Sequence, residues 1–317
     1  MRENMMKKLI STFGALLMIS IVTFVLVKLS SANPAEQYLR LSKISITPEA
    51  LHNARLYLGL DKPLWEQYVT WLSDILVGNF GTSYVLKVPV LPLVVERFLA
   101  TLMLSLTSFL LVLVIAFPLG VGSGLFEHSL FDRLVRLFSF VAVSMPSFWL
   151  GYLLIIAFSV KLNLLPVSGK AGASSLILPS ITLSFSLIGQ YTALIRKAIS
   201  EQLTSLHVEN ARLRGVKTYY IVKHHLIRNA FPAIATGLSL TFVYLMTGSI
   251  IVEDIFSWNG IGSLFVMSLK AADIPVIQAC MLLFGALFLL HHVITQELVS
   301  FIDPRLRKTK EEACPNT

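Results

Sequence analysis

The stretch FLATLMLSLTSFLLVLVIAFPLGVGSGLF, from Phe98 to Phe126, runs for 29 residues without an Asp, Glu, Lys or Arg. A bilayer core of about 30 Å requires about 20 predominantly apolar residues in a helix. This stretch is therefore long enough to span a membrane, with a tilt or an extension past the lipid. Its apolar and polar residues do not alternate, so it is not typical of a β-barrel strand.

Five further windows lack the same four residue types. They run from Leu9 to Val27, Leu137 to Val160, Ala171 to Ile195, Asn229 to Val252 and Ile274 to Gln296. The shortest has 19 residues, so each can cross a bilayer. Only 14% of the 317 residues are charged and 55% are hydrophobic, whereas about 25% are charged in an average soluble domain. The sequence predicts an all-α polytopic membrane protein with six transmembrane helices.

Positive charges set the expected orientation of these helices. Arg2, Lys7 and Lys8 precede the first window. The connection between the fourth and fifth windows contains Arg196, Lys197, Arg212, Arg214, Lys217, Lys223 and Arg228. The sixth window is followed by Arg305, Arg307, Lys308 and Lys310. Cytoplasmic loops of membrane proteins carry an excess of Lys and Arg, so both termini and the fourth connection are expected in the cytoplasm. The net charge of +8 is explained without a nucleic-acid partner.

The first window has an alternative interpretation as a secretory signal peptide. Lys7 and Lys8 precede its apolar run, and Ser30-Ser31-Ala32 resembles a cleavage site. Signal peptides, however, have an apolar region of only about 7 to 15 residues. A retained transmembrane helix is therefore the stronger prediction.

Two connections are too long to be simple turns. Residues 28–97 are predicted to form a small extracytoplasmic module of helices, with Thr47 as an N-cap ahead of Pro48 and an amphipathic segment from Leu64 to Val77. Residues 196–228 are predicted to form a charged cytoplasmic loop. The sequence shows no internal repeat and no soluble catalytic region, so residues 1–317 are predicted to form a single transmembrane domain.

The six windows contain no fixed charge, which in a membrane is costly and commonly marks an ion or proton pathway. The adjacent His291 and His292 are the histidines inside a window. Neighbouring residues of a helix point about 100° apart, so a pore-facing or hydrogen-bonded role is favoured over a shared metal site. Cys280 and Cys314 have no metal-ligand spacing around them.

The phosphate-binding loop G-x-x-x-x-G-K-[ST] is not found in the sequence. The pair Gly169-Lys170 is its nearest match, but Leu164 stands at the first glycine position and Ala171 follows the lysine. The chain is therefore not expected to hydrolyse ATP itself, and it is not predicted to be an enzyme.

The segment from Ser205 to Arg214 is predicted to form a short helix, with its first residue as the N-cap and Gly215 at the C′ position. Ala211 and Gly215 lie four residues apart and are predicted to form a small-residue face that allows another surface to approach closely. Arg212 and the last arginine of the segment are available to acidic groups. From the residues alone, an ordinary polar connector is an equal alternative.

The same segment carries a family resemblance. Glu209-Asn210-Ala211, with three residues before Gly215, resembles the E-A-A-x-x-x-G motif that permease subunits of ABC importers present to their ATPase partners. Asn210 stands where the family usually has alanine. Downstream, the run from His225 to Pro232 resembles H-x-L-R-N-A-x-x-P, with the proline one residue early.

Further motifs follow in the order typical of the dipeptide, oligopeptide and nickel branch of these permeases. They are Leu58-Gly-Leu-Asp61-Lys-Pro63-Leu64, Gly78-Asn79-Phe80-Gly81, Ser144-Met-Pro146-Ser-Phe148-Trp149, Leu164-Leu-Pro166, Glu253-Asp-Ile-Phe256-Ser-Trp258-Asn-Gly260-Ile-Gly262 and Asp303-Pro304-Arg305. Asn79 replaces a more usual aspartate, and Asn259 replaces a usual proline. Tyr38-Leu-Arg-Leu-Ser42, Thr47-Pro48-Glu49 and His207-Val208 look most like nickel permeases.

The resemblance implies a multi-pass permease subunit in the bacterial cytoplasmic (inner) membrane, in contact with membrane lipid. Its implied partners are a second homologous permease, two cytoplasmic ATPases and an extracytoplasmic substrate-binding protein. ATP and Mg would be bound by the ATPases, so no cofactor is expected on this chain. The expected ATPase-coupling residues are Glu209, Ala211, Arg212 and Gly215.

The expected cargo is nickel, as a small chelate, with a dipeptide or oligopeptide as the alternative. An ion-coupled secondary carrier and a membrane scaffold without transport are further alternatives. Candidate pathway residues with hydroxyl, amide or imidazole groups are Ser144, Thr247, Gln278, His291 and His292. No set of metal ligands is assigned, and His207 is not assigned as one because it lies in the inner loop.

Overall fold

The computed structural model describes residues 2–29, 33–167 and 172–302, which form an all-helical structure. The α-helices are α1 (Arg2–Leu29), α2 (Pro34–Leu41), α3 (Pro48–Tyr57), α4 (Leu64–Leu76), α5 (Val90–Leu125), α6 (Leu130–Ser144), α7 (Ser147–Leu154), α8 (Ile177–Leu203), α9 (Leu206–Leu213), α10 (Thr218–Ile221), α11 (Arg228–Gly248), α12 (Ile250–Ile255), α13 (Ile261–Ala271) and α14 (Ile274–Ile302). Short 3₁₀ or π-helical segments, Ile155–Lys161, Gly172–Leu176 and Val222–Ile227, join some of them. The all-α prediction is confirmed.

Some predictions concern residues outside the described ranges. They are the Ser30-Ser31-Ala32 segment, the Gly169-Lys170 pair with Ala171, and the Asp303-Pro304-Arg305 motif with the cations that follow it.

Three unbroken helical stretches of the described residues are long and apolar enough to cross a membrane: Val90–Leu125, Gly172–Leu203 and Ile274–Thr295. Two bent pairs also qualify if each pair counts as one span, namely Phe13–Leu29 with Pro34–Leu41 and Leu130–Ser144 with Ser147–Lys161. The described residues thus contain up to five such spans. Helices long and apolar enough to span a membrane are present, whereas the number six and the cytoplasmic termini stay predictions.

The third predicted span, Leu137 to Val160, is not one straight helix. Its two halves, Leu130–Ser144 and Ser147–Lys161, are bent by 102°. Met145 between them is extended, with φ −82° and ψ 121°. A proline disfavours the helical conformation of the residue before it, so Pro146 accounts for the end of α6.

The described chain divides into two compact units. Unit 1 contains the residues up to Thr101 together with Asn259–Leu290, and unit 2 contains Leu102–Trp258 together with the residues from His291 onward. Each unit has its own apolar core. The prediction of a single transmembrane domain stays a prediction.

In unit 2, small residues let α8 pack closely against two neighbouring helices. A Cβ added to Gly120 of α5 would lie 2.6 Å from the Cβ of Ile195, and one added to Gly124 would lie 2.9 Å from that of Ile199. A Cβ added to Gly189 of α8 would lie 2.8 Å from that of Ala142 in α6. Small residues four apart are a common means of close helix contact in membranes, and here they fix the position of the end of α8.

In unit 1, the described residues of the connection 28–97 contain helices α2, α3 and α4, as predicted, whereas the extracytoplasmic position of the connection stays a prediction. Thr47 caps α3 by accepting a hydrogen bond from the amide of Ala50 at 3.1 Å, which confirms its predicted role. The amphipathic segment is α4, which ends at Leu76. The hydroxyl of Tyr68 in α4 lies 2.8 Å from that of Ser20 in α1.

Candidate functional site

The predicted inner-loop helix is present as α9, which we call the coupling helix. It begins after Ser205, whose extended backbone, with φ −75° and ψ 142°, places it at the N-cap position as predicted. Its side chain does not cap the helix, because the hydroxyl donates to the carbonyl of Gln202 in the preceding helix. Ser205 therefore occupies the predicted N-cap position, but its side chain does not make the hydrogen bond that an N-cap side chain usually makes to the helix.

The coupling helix ends in a Schellman motif built on Gly215. This glycine has φ +74°, a left-handed conformation that glycine adopts without the steric cost of a Cβ. Its amide donates to the carbonyl of Arg212 at 2.9 Å, and the amide of Val216 donates to that of Ala211 at 3.1 Å. These are the paired 5→2 and 6→1 bonds of the motif, so the predicted end of the helix is confirmed.

The coupling helix is attached to unit 2 by one apolar face. Val208 has 0% of its surface exposed and Ala211 has 7%. Both belong to the same buried cluster as Ile199 and Ile221. The predicted small-residue face of Ala211 and Gly215 is therefore wrong, since Ala211 packs into the core while Gly215 is exposed.

The opposite face of the coupling helix is exposed. Leu206 and Leu213 expose 77% and 80% of their surface, and Glu209 and Asn210 between them are also exposed. Residues spaced i, i+3, i+4 and i+7 share one face of a helix. This outward face combines two apolar ends with a carboxylate and an amide, and Arg212 is exposed beside it.

A polar contact links the coupling helix to α11. The side-chain amide of Asn229 donates to Nε2 of His207 over 2.9 Å. His207 therefore helps to hold the coupling helix within unit 2. The neighbouring π-helical segment contributes a ring contact, with His224 stacked on Tyr220 at 4.1 Å between ring centroids.

Close to the start of the inner loop, a buried ion pair joins α6 to α8. Nε of Arg196 lies 2.5 Å from Oδ1 of Asp132, and its Nη2 lies 3.0 Å from Oδ2. The side chain of Asp132 is 0% exposed and that of Arg196 is 17% exposed. Two parallel hydrogen bonds between guanidinium and carboxylate combine strength with a fixed geometry, so the pair defines the position of α8 next to α6.

Several further groups complete this ion-pair network. The hydroxyl of Ser123 in α5 donates to Asp132 at 2.6 Å, and the amide of His128 donates to it at 3.1 Å. Glu127 accepts hydrogen bonds from Arg196 at 3.3 Å and from Ser200 at 2.9 Å. The network connects α5, α6 and α8 within unit 2, and its Arg196 lies ten residues before the first residue of the coupling helix.

The sequence analysis placed Arg196 among the topology-setting cations and did not pair it with Asp132. A local signal was present, because Asp132 follows Ser129 by three residues, a spacing typical of a helix start. The amide of Asp132 does donate to the Ser129 hydroxyl at 3.1 Å. That signal locates the beginning of α6, but it carries no information about a partner 64 positions away in the chain.

Unit 1 also has a buried carboxylate, Asp273, which the sequence analysis missed. It is 1% exposed and accepts hydrogen bonds from the Ser83 hydroxyl at 2.5 Å and from the amides of Tyr84 and Val85 at 3.0 and 3.2 Å. Burial, assisted by the nearby Asp273 charge, raises the pKa of the Tyr84 phenol to about 12. Asp273 thus ties the turn at residues 82–89 to the start of α14.

The predicted pathway residues occur in different settings. Ser144 and His292 are exposed, Gln278 is 8% exposed, and His291 is half-buried with its Nε2 3.1 Å from the hydroxyl of Thr295. The side chain of Thr247 lies outside the described residues. Among the described residues, no group of three or more His, Cys, Asp or Glu side chains could hold a metal ion. The pathway roles stay predictions.

Comparison with known families agrees with this arrangement. Residues 116–308 match the family described as binding-protein-dependent transport system inner membrane component. Residues 1–107 match the N-terminal part of membrane components of such systems. The chain belongs to this family, the permease subunits of ABC importers.

Individual relatives cover nearly the whole chain. The metal-staphylopine import system permease protein CntB of Staphylococcus aureus (strain NCTC 8325 / PS 47) is 33% identical over 309 residues, 97% of this chain and 99% of the relative. The glutathione transport system permease protein GsiC of Salmonella typhimurium is 33% identical over 311 residues, again 97% and 99%. A probable peptide ABC transporter permease protein, y4tP of Sinorhizobium fredii, is 32% identical over 310 residues, 95% and 98%. These relatives support the predicted dipeptide, oligopeptide and nickel branch.

One solved structure shares the fold. The MetNI methionine ABC transporter in inward-facing conformations contains a chain that superimposes with a TM-score of 0.55 at 17% identity. The match covers 67% of this chain and 96% of that chain. At this identity the likeness concerns the fold alone.

Proposed function

We propose that this permease couples ATP hydrolysis by partner subunits to import through the outward face of the coupling helix. The observation that carries the proposal is the two-sided character of α9. Val208 and Ala211 fix one side in the core, while Leu206 and Leu213 expose most of their surface on the other. An exposed pair of leucines on a short charged helix is unfavourable in water and suits a partner surface.

The ends of the coupling helix suit a rigid movement. The Schellman bonds at Gly215 fix the turn that ends the helix, and the contact of His207 with Asn229 holds the start of the helix to α11. When the partner ATPase displaces the outward face, the helix and unit 2 then move together as a rigid body, because no flexible turn separates them. Glu209 and Arg212 supply charges of both signs for the partner ATPase, and Gly215 permits the turn that ends the helix.

The proposed assembly contains a second homologous permease, two cytoplasmic ATPases and an extracytoplasmic binding protein. In this proposal the chain crosses the inner membrane six times and has both termini in the cytoplasm. The family match supports an importer that works with a binding protein. The charge clusters of the sequence support the orientation.

The proposed cargo is nickel carried as a small chelate. A bare divalent ion in a passage without carboxylates would lose its hydration with no charged oxygen in replacement. Imidazole nitrogen suits nickel, so a histidine-like chelator is chemically sensible. A relative named for metal-staphylopine import supports this cargo.

A peptide-like cargo is the second candidate. It is favoured by relatives of equal similarity that are named for glutathione transport and probable peptide transport. Uptake of radiolabelled nickel and of a radiolabelled dipeptide in a strain lacking only this gene separates the two. We expect nickel accumulation to fall and dipeptide uptake to persist. Unchanged nickel accumulation with lost dipeptide uptake would contradict the nickel proposal.

A reconstituted five-component importer tests the form of the cargo. Free nickel, histidine-chelated nickel and a dipeptide are supplied in turn, and transport is measured with and without ATP. We expect ATP-dependent transport of the chelate above that of the free ion. Transport by this chain alone, dependent on an ion gradient, would instead identify a secondary carrier.

A further inference from the structure

Arg97 of α5 lies on the buried side of its helix. Val90, Val94 and Thr101 expose at most 6% of their surface, and their spacings from Arg97 along the chain place all four residues on one helix face. Arg97 itself is partly exposed. Its long side chain therefore extends from a face of α5 that is otherwise covered.

The other side of α5 is apolar and exposed. Leu91, Val95 and Leu99 expose 39%, 47% and 55% of their surface. At 100° a residue, Arg97 lies about 160° around the helix from the middle of this stripe. Ionisable residues of membrane helices usually face other helices or a water-filled passage in this way, so Arg97 points away from the side of α5 that suits lipid.

The guanidinium of Arg97 lacks an acceptor that a shielded cation requires. Its Nε is buried and has no hydrogen-bond partner among the described residues. In Arg196 of unit 2, the same atom lies 2.5 Å from a carboxylate oxygen of Asp132. A buried donor on a charged group is costly to leave unpaired. The contrast between the two arginines indicates that Arg97 is prepared for an anion.

The positive end of a helix lies close to Arg97 along the same face of α5. The hydroxyl of Thr101, one turn further on, accepts a hydrogen bond from the amide of Ile261 at 2.9 Å. Ile261 is the first residue of α13, an 11-residue helix with Gly260 at its N-cap and no side-chain cap. A helix N-terminus carries a partial positive charge, which adds to the attraction for an anion.

Two acidic residues border these elements of unit 1. Glu96 precedes Arg97, but it points about 100° away around the helix and is exposed. Asp273, between α13 and α14, accepts three hydrogen bonds from residues 83–85. The acceptor for Arg97 is therefore expected from outside the chain.

We propose that Arg97 binds the carboxylate of the cargo. The inference rests on the proposed function, whose two candidate cargoes, a histidine-like chelate and a peptide, both carry a carboxylate. A carboxylate that binds nickel through one oxygen presents the other to the arginine, and a free carboxylate accepts two parallel hydrogen bonds from it. Arg97 directly precedes the uncharged window that begins at Phe98. The predicted orientation places it at the extracytoplasmic end of that window, where the cargo enters.

The test uses the reconstituted five-component importer with matched cargoes. Nickel is supplied with histidine or with histidinamide, which keeps the imidazole and amine that bind nickel and has an amide in place of the carboxylate. A dipeptide and its C-terminal amide form the second pair. ATP-dependent transport of each cargo is measured over a range of concentrations, with the same binding protein throughout.

Arg97→Gln removes the cation, and Arg55→Gln makes the same change at an exposed arginine of unit 1. In the unsubstituted complex and in R55Q we expect the carboxylate cargo to be transported in preference to its amide. In R97Q we expect the KM for the carboxylate cargo to rise about tenfold or more and the preference over the amide to disappear. Arg97→Lys keeps the charge without the planar fork, so it should retain part of the preference.

Equal KM values of R97Q and R55Q for the carboxylate cargo would overturn the inference. An acid-to-amide ratio in R97Q equal to that in R55Q would do the same, because the binding protein alone would then select the carboxylate. Loss of the second permease from purified R97Q, with that ratio unchanged, would assign Arg97 to a subunit contact. If R97Q assembles poorly, both comparisons are made with R97K, for which we expect a smaller rise in KM.

Failure of the proposed function gives a different result. The unsubstituted complex would then show no ATP-dependent transport of any of the four cargoes. An unsubstituted complex that transports a carboxylate cargo, with no effect of R97Q on KM or on the acid-to-amide ratio, would contradict only the role of Arg97.

Discussion

The two units each bury an aspartate, and they stabilise it in different ways. In unit 2, Asp132 is paired with the cation of Arg196 through two hydrogen bonds. In unit 1, the three groups that donate to Asp273 are neutral, the Ser83 hydroxyl and two backbone amides. A buried ion pair is strongly destabilised when one partner is lost, because the other charge is left uncompensated. Hydrogen bonds from neutral groups can be lost at a smaller cost.

The difference matches the neighbourhoods of the two aspartates. Asp132 lies where three helices meet just before the coupling helix, so a strong, directional pair there keeps the end of α8 in place. Asp273 holds a single turn, residues 82–89, against the start of α14. The ion pair of Asp132 thus joins three helices of unit 2, whereas the hydrogen bonds to Asp273 shape one loop of unit 1.

The largest expected effect comes from breaking the ion pair. Arg196→Ala removes both hydrogen bonds from the guanidinium to the buried carboxylate of Asp132 and leaves the half-exposed Arg136, whose Nε lies 3.4 Å from Oδ2, as the cation beside it. Breaking a buried ion pair costs about 3 to 5 kcal/mol, and Arg136 offsets part of that loss. We expect a strongly lowered thermal unfolding temperature of the purified complex, followed by intrinsic fluorescence, and little protein in the membrane.

Lys197→Ala is the matched control. Lys197 is the next cation in the chain, is 75% exposed, and approaches Glu201 at 3.8 Å. Exposed pairs of this kind contribute about 0 to 1 kcal/mol. The double variant Asp132→Leu/Arg196→Met should recover much of the stability, since an apolar pair can replace a buried ion pair. Equal unfolding temperatures for R196A and K197A would show that the buried pair does not stabilise unit 2.

A smaller loss is expected at the neutral site. Asp273→Ala leaves the Ser83 hydroxyl and the amides of Tyr84 and Val85 without their acceptor, at a cost of about 1 to 3 kcal/mol. We expect faster amide hydrogen exchange confined to the 82–89 turn and the start of α14. Asp61→Ala, at an exposed aspartate of the same unit, is the control. A larger stability loss in D273A than in R196A would reverse the proposed order of the two sites.

Sequence reasoning found the local features of these regions and missed the long-range ones. Ser205, Gly215 and Thr47 located helix ends, because capping depends on residues within one turn. The aspartate partners lie 64 and 190 positions away, and no local pattern specifies which distant groups a fold brings together. The bend at Pro146 follows from a local rule, but a search for uncharged windows does not detect it.

The burial of Ala211 shows a further limit of the sequence. Its spacing from Gly215 gave the two residues one apparent face, but a glycine in a left-handed turn no longer continues the helix. Which side of a short helix meets the core depends on neighbours such as Ile221, which is 2% exposed in the same cluster. The motif located the helix correctly, while only the structure showed its outward face.

A third experiment tests whether the coupling helix links the partner ATPase to transport by unit 2. Gly215→Asp imposes a Cβ on a residue with φ +74°, at a cost of about 1 to 2 kcal/mol. A Cβ there would meet nothing within 4 Å, so the effect acts through the backbone of the Schellman turn. Glu209→Lys reverses a charge in the first turn of the helix, where the dipole favours anions.

For both variants we expect impaired uptake and weaker stimulation of the partner ATPase, with normal amounts of protein in the membrane. Glu66→Lys, a charge reversal on α4 of unit 1, is the control and should transport normally. If G215D and E209K transported at the unsubstituted rate with normal ATPase stimulation, the coupling helix would be a passive loop.

Single-cysteine labelling, the mildest perturbation, tests on which side of the membrane the aspartate of each unit lies. In a cysteine-free background, Ser73→Cys and Ser263→Cys in unit 1 should react with an impermeant maleimide from outside, whereas Ser200→Cys in unit 2 should not. Ser200 donates a hydrogen bond to Glu127 of the ion-pair network, so its label reports on the Asp132 side. The reason for this expectation is the cation cluster that begins at Arg196, which the positive-inside rule places in the cytoplasm. Membrane permeabilisation should expose Ser200→Cys and provides the positive control. Labelling of that cysteine in cells whose cytoplasmic membrane is intact would contradict the orientation and would place the ion-pair network outside.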